Sequence, residues 1–201
     1  MLRYKIKKRK ERREKVREDL RRYGEKILNS AEMRQAFRQK HHTLSTVGEH
    51  TMRVAAISLA ICYALKKLHI RTDIKAVVTG ALSHDLGILG RNEKYCSSGE
   101  CSRQHPQDSA KVAEKLLGKL PKKTEDIITR HMWPVGKSKP PNSLEAAIVS
   151  TADKIAAVED FVEGYEKKRP GIRGVLREMR NRKKESTAWS PETPQADAQS
   201  R

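Results

Sequence analysis

The stretch Ala81-Leu82-Ser83-His84-Asp85 constrains this chain more than any other. An apolar run of helical period (Ile74, Val77, Val78, Ala81, Leu82) leads directly into His84 and Asp85, so both polar side chains fall on the face a helix would bury. Burying a carboxylate costs several kcal/mol unless a partner neutralises it. A metal ion is the partner that would use the adjacent imidazole as well. Neighbouring helical residues point about 100° apart, so His84 and Asp85 converge on one ion most readily at a helix end, and Gly87 and Gly90 supply the stop signals.

The rest of the chain reads as helices arranged around that point. Apolar residues recur at three- and four-residue spacing, aromatics are few and alternating strand patterns are scarce, which predicts an all-α fold. A chain of 201 residues holds one ordinary core with short extensions. Residues 1–28 predict a basic helix with a thin stripe at Val16, Leu20, Tyr23 and Ile27, and a short helix follows over 31–38. Thr46-Val47-Gly48-Glu49 fits a capping box that starts a helix carrying His50 on its apolar stripe. After the His84-Asp85 helix, residues 89–104 read as a long polar loop in which Arg91 and Lys94 would suit a substrate phosphate, although charge in such a loop is more often simply solvated. His105-Pro106 then reads as a helix opening, with proline in the first turn. Pro121 starts a helix that ends at Met132-Trp133-Pro134 and places His131 beside Ile127 and Ile128. Asn142 or Ser143 caps a helix whose inner face is Ala146, Val149, Ala152, Ala156 and the acid Asp153. The predicted division is a basic helical extension (1–38), a metal-binding helical domain (39–165), a basic helix (166–184) and a disordered tail (185–201).

Charge and cysteine content narrow the setting. A formal charge of +18, concentrated toward both ends, implies attraction to an anionic partner: a nucleotide, an RNA or an acidic surface. No apolar run approaches the roughly 20 residues a bilayer crossing needs, and the basic start lacks a signal peptide's apolar core. Three cysteines give no disulfide framework, so the expected location is the cytoplasm. Cys96, Cys101 and His105 sketch a zinc clip, but Cys-x4-Cys in a polar loop is usually incidental.

In chain order, the inward-facing ligand types are His50, His84-Asp85, His105, His131 and Asp153. Over residues 39–159 this set resembles the HD-domain metal-dependent phosphohydrolases, all-helical bundles with a His, a His-Asp pair and a distant Asp. The likeness is closest to members with two further histidines, and extends to Arg130-His131-Met132-Trp133-Pro134 and Ala152-Asp153-Lys154. It implies that His50, His84, Asp85 and Asp153 hold one metal. His105 and His131 would support a second, with Asp85 bridging. It also implies hydrolysis of a phosphate ester of a nucleotide or another small metabolite, with Asp85 catalytic and Lys154 and His42 as helpers. For His42, a substrate contact and a supporting loop position stand equal. Histidine and carboxylate donors suit two ions of iron, manganese, cobalt or zinc. Residues 86–91 lack the aromatic and acidic residues of some similar proteins, and the GYP motif of the cyclic-dinucleotide enzymes is absent, so the resemblance gives a chemistry without a substrate. Two other readings keep the residues and change the function: a di-iron oxygenase, or a nucleic-acid-binding module with a structural metal. The oligomeric state is not legible.

Overall fold

A computed structural model of the chain describes residues 2–41, 45–135 and 138–168. Eight α-helices occur among them, with no strand: α1 (Leu2–Leu28), α2 (Ala31–Ala36), α3 (Val47–Lys67), α4 (Ile74–Ser83), α5 (Arg91–Lys94), α6 (Ser98–Leu117), α7 (Lys122–Arg130) and α8 (Leu144–Lys168). A 3-10 turn, Leu86–Ile88, follows α4. The fold is therefore all-α, as the periodicity implied. The chain divides into two compact units, Met1–Phe161 and Val162–Arg201. The first holds the helical core; of the second, only the end of α8 is described. The basic helix expected over 166–184 has only residues 166–168 described, as the end of α8, and the rest of it and the tail expected over 185–201 lie outside the described residues. None of the described helices is long and apolar enough to cross a membrane.

Helix α4 is the centre of the core. Every residue from Ala76 to Ser83 is buried, and α1, α3 and α7 pack around it. Small residues set these close approaches. A Cβ on Gly24 of α1 would stand 2.3 Å from Leu82 Cδ1, and one on Gly80 would stand 2.5 Å from Ile127 Cγ2. Leu59, Val77, Val78, Leu82 and Ile127 fill the space between, each contributing about 1.5–3 kcal/mol by leaving water.

Local chemistry fixes where the helices begin. At α3 the Glu49 N–H donates to Thr46 Oγ1 (3.1 Å), and the Thr46 N–H donates to Glu49 Oε2 (2.8 Å), which completes the capping box. Asp73 caps α4 by accepting the Ala76 N–H. Ser143 accepts the Ala146 N–H at the start of α8. Glu145 of α8 accepts from the Asp73 N–H (2.8 Å) and from Lys123 Nζ (2.9 Å), tying the starts of α4, α7 and α8 together.

Two sequence expectations need correction. Pro106 does not open its helix: α6 begins eight residues earlier, at Ser98, and Pro106 lies inside it. The signal was Ser97-Ser98-Gly99-Glu100, where Ser97 Oγ accepts the Glu100 N–H and Glu100 accepts the Cys96 N–H. The polar stretch 89–104 is accordingly not one long loop. It contains α5 and the first turns of α6, whose outer faces are solvated and so show no apolar period.

The 3-10 turn after Asp85 is bound on both sides. Gln39 Nε2 donates to the Ile88 carbonyl and Gln39 Oε1 accepts the Gly90 N–H, while the Gly87 N–H donates to Ser109 Oγ. Gly87 lies so close to α6 that a Cβ would stand 2.3 Å from Ser109 N and 2.5 Å from the His105 carbonyl oxygen. Those neighbours are backbone and cannot swing aside. Gly87→Ala should destabilise the protein by roughly 1–3 kcal/mol in urea unfolding. Gly99→Ala, whose nearest neighbour is the tip of Arg103 at 3.5 Å, should be neutral or slightly stabilising.

Candidate metal centre

Five helices deliver the ligand-type residues to a single point. His50 comes from the first turn of α3, His84 and Asp85 from the end of α4, His105 from α6, His131 from the end of α7 and Asp153 from α8. His50, His84, Asp85, His105 and His131 are all buried. The structure thus brings together all six residues expected to bind metal.

The two oxygens of Asp85 face different groups. Oδ2 lies 3.4 Å from His84 Nε2, 4.0 Å from His50 Nε2 and 3.6 Å from His41 Nε2. Oδ1 lies 3.3 Å from His105 Nε2 and 3.5 Å from His131 Nε2. Asp153 Oδ1 closes the first group, 3.0 Å from His50 Nε2 and 3.7 Å from His84 Nε2.

Backbone hydrogen bonds set the tautomers. Nδ1 of His84 donates to the Ala81 carbonyl, Nδ1 of His105 to the Cys101 carbonyl and Nδ1 of His131 to the Ile128 carbonyl, each at 2.7 Å. A carbonyl only accepts, so the proton sits on Nδ1 and the Nε2 lone pair points inward. Two of these carbonyls, Ala81 and Ile128, stand in the last turn of their helices, where carbonyls lack an intrahelical partner. Helix ends therefore hold both the imidazoles and their orientation.

Inward lone pairs create contacts that need a cation between them. His105 Nε2 and His131 Nε2 are 3.0 Å apart. His84 Nε2 is buried with no hydrogen-bond partner. Three overlapping sets of donors lie within 4.8 Å of one another: His41/His50/Asp85, His50/His84/Asp153 and His84/Asp85/His131. An all-nitrogen-and-oxygen donor set with aligned lone pairs fits a divalent transition metal.

Without metal, protons must serve as the cations. Burial works against a charged His84, yet Asp85 and Asp153 outweigh it and raise its pKa to about 10. Burial also pushes Asp85 and Asp153 upward, but the surrounding imidazoles hold both well below the usual carboxylate range. His131 goes the other way, to about 3, through burial and the charges of His84 and His105. It stays neutral, with its Nε2 lone pair available.

A cavity of about 850 Å³ opens onto this cluster. Asp85, His105, His131 and Asp153 form its floor; Arg91, Ser97, Ser98 and Ser102 stand on one part of its wall, and Met132, Val135 and Ala157 on another. Arg91, expected to contact substrate, has no carboxylate partner among the described residues. Lys94 is not on the cavity wall; its Nζ is 3.4 Å from the Gly87 carbonyl oxygen. Lys154 lines the cavity and donates to the His131 carbonyl and to Asp153 Oδ2 (3.1 Å). Ser150 Oγ donates to the same His131 carbonyl and to that of Trp133, so α8 fixes the turn carrying His131. His42 lies outside the described residues. Its neighbour His41 is in the cluster, with its ring 4.5 Å from that of His50. His105 spends Nδ1 on a backbone carbonyl and turns Nε2 to His131, and both cysteines of the sketched zinc clip are free thiols.

Three residues at the site escaped the sequence reading: His41, Asp160 and Arg53. His50 Nδ1 donates to Asp160 Oδ2 (2.8 Å), and Arg53 Nη1 lies 3.2 Å from Asp160 Oδ1. Asp160 stands two helical turns beyond Asp153 on the same face, a spacing that could have flagged it.

The sequence model of the HD domain family matches residues 47–158, and the chain belongs to that family of metal-dependent hydrolases. Neither the curated proteins nor the solved structures searched give a match.

The protonation pattern fixes the sign of a pH effect. The pKa of His84 is raised in the fold, so its contribution to metal-free stability is complete below pH 6.5 and is lost as pH rises toward about 10. A metal competes with that proton for Nε2. Metal-stripped protein should therefore melt progressively lower from about pH 6.5 upward, while apparent metal affinity rises about tenfold per pH unit for one displaced proton. Calorimetric titration across this range checks both trends, and a pH-independent affinity would contradict ligation by His84.

Proposed function

We propose that this protein is a metal-dependent phosphohydrolase that cleaves a phosphate ester of a nucleotide or other small phosphorylated metabolite. One observation carries the reading: the two oxygens of Asp85 face two separate donor groups, the arrangement that lets one carboxylate serve two ions. His50, His84 and Asp153 would hold one ion and His105 and His131 the other, with Asp85 between. Fe, Mn, Co and Zn suit these donors better than an all-oxygen magnesium cage. When bound, such a pair supplies an activated water and charge to stabilise the phosphoryl oxygens.

The chain's own groups account for the rest of the chemistry. The Nδ1–H bonds to backbone keep the imidazoles from rotating, so the donor geometry is set before substrate arrives. Lys154 keeps a cation at the edge of the floor, beside Asp153, where it would face a phosphoryl oxygen. Arg91, a guanidinium on the wall of the same cavity with no carboxylate partner among the described residues, would take a further anionic or hydroxyl-bearing part of the substrate. His41 would contact the reacting group from the α2–α3 side, and His42 would be a further helper, as the family resemblance implies.

The basic start favours a second role in addition. Residues 3–15 contain nine Lys and Arg against two Glu, and every described side chain from Tyr4 to Lys15 is exposed. Tyr4 and Ile6 are two residues apart, on opposite sides of the helix, so no apolar stripe favours a membrane surface. Contact with RNA phosphates fits such a helix better.

The function is tested on protein purified without metal-affinity tags. About two transition ions per chain are expected, with phosphate released from members of a nucleotide panel. Asp85→Ala should remove both metal and turnover, and His131→Ala should lower the second ion's occupancy more than the first's. Oxygen uptake by iron-loaded protein without phosphate release would replace this reading with oxygenase chemistry. RNA binding that survives Asp85→Ala, in protein with no hydrolysis, would leave only the basic-helix role.

A further inference from the structure

Among the cluster's inward-pointing imidazoles, His84, His105 and His131 lean on backbone carbonyls, whereas His50 leans on a side chain. Its Nδ1 is 2.8 Å from Asp160 Oδ2, and the other carboxylate oxygen is 3.2 Å from Arg53 Nη1. Asp160 is 3 % exposed, is absent from the cavity wall and belongs to none of the donor sets around Asp85. A buried carboxylate that neither faces the cavity nor joins a donor set needs another reason to be there, since its desolvation costs several kcal/mol.

We propose that Arg53 and Asp160 form a positioning relay that orients His50 and strengthens it as a ligand for the first metal ion. Asp160 accepts the Nδ1–H and so fixes the tautomer with Nε2 directed at Asp153 and Asp85. The carboxylate's charge makes the imidazole a better donor than a carbonyl would. Arg53 sits three residues after His50 on α3, so the guanidinium and the imidazole project from one face and grip the same carboxylate. Arg53 also lies 3.9 Å from Glu159, the neighbour of Asp160, and is itself partly exposed. The relay thus runs from the protein surface to the floor of the cavity. It makes His50 the ligand whose basicity can be altered by side-chain substitution, without touching the backbone.

The relay rests on the reading of the cluster as a metal centre, and the test separates the two. Zn²⁺ is titrated into metal-stripped wild type, Asp160→Asn and Arg53→Gln, and affinities for the two ions are resolved calorimetrically. Asparagine keeps the shape and still offers an oxygen to Nδ1–H, so a purely space-filling role predicts no change. The relay predicts a roughly tenfold to hundredfold loss for the first ion with the second within about twofold, and a smaller loss for Arg53→Gln. A loss shared equally by both ions would mark a general structural effect and overturn the relay. Unchanged affinity in Asp160→Asn would also overturn it while leaving the metal centre intact. Absence of Zn²⁺ binding by the wild type would overturn the metal centre itself. Should Asp160→Asn fail to fold, nitrogen-15 NMR of histidine-labelled, Zn²⁺-loaded wild type decides: His50 protonated at Nδ1 and metal-bound at Nε2 supports the relay, and the opposite tautomer refutes it.

Discussion

A buried carboxylate surrounded by imidazoles governs this structure. Asp85 lies at the end of the most deeply buried helix, and four histidines from α3, α4, α6 and α7 approach its two oxygens within 4.0 Å. Such a group is tolerated only when its charge is balanced at close range. Each element that supplies a histidine is thereby committed to a position and a register. The tight backbone contact at Gly87 and the Gln39 clasp on the 3-10 turn hold the end of α4, and the Glu145 link holds its start beside those of α7 and α8.

The same device recurs at His50, His84, His105 and His131. One ring nitrogen is tied down by an acceptor, so the other presents a lone pair inward. At His84 and His131 the acceptor is a carbonyl that the end of a helix leaves over. At His105 it is the Cys101 carbonyl inside α6, and at His50 it is a carboxylate held by Arg53. Histidine pairs 3.0 Å apart with both lone pairs inward make sense only around positive charge, which protons or metal ions provide. Such a centre would trade protons for metal, its metal-free stability and its metal affinity then responding to pH in opposite directions.

Much of this was legible in the sequence because the signals were local. The 3.6-residue period gave the all-α fold, and the interruption of apolar faces by His50, His84, Asp85, His131 and Asp153 gave the cluster. The start of α6 was misread because Pro106 is a strong punctuation mark, while the weaker Ser97/Glu100 cap sat in a polar, solvated stretch. His41 is invisible to periodicity: it precedes α3, and the paired histidines at 41 and 42 give no reason to choose between them. Asp160 and Arg53 read as ordinary charged residues on helices. The i+7 spacing from Asp153 is the local hint of Asp160; its burial, and its pairing with the partly exposed Arg53, come from α8 meeting α3, a tertiary fact.

The account stands or falls on whether one carboxylate serves two ions. Crystals of the protein loaded with Mn²⁺ or Zn²⁺, measured at the metal's absorption edge, would test this most directly. Two anomalous peaks roughly 3.5–4 Å apart are predicted, one near His50, His84 and Asp153 and one near His105 and His131, with Asp85 touching both. A loaded crystal showing no peak among these residues, or an ion held elsewhere, would contradict the account.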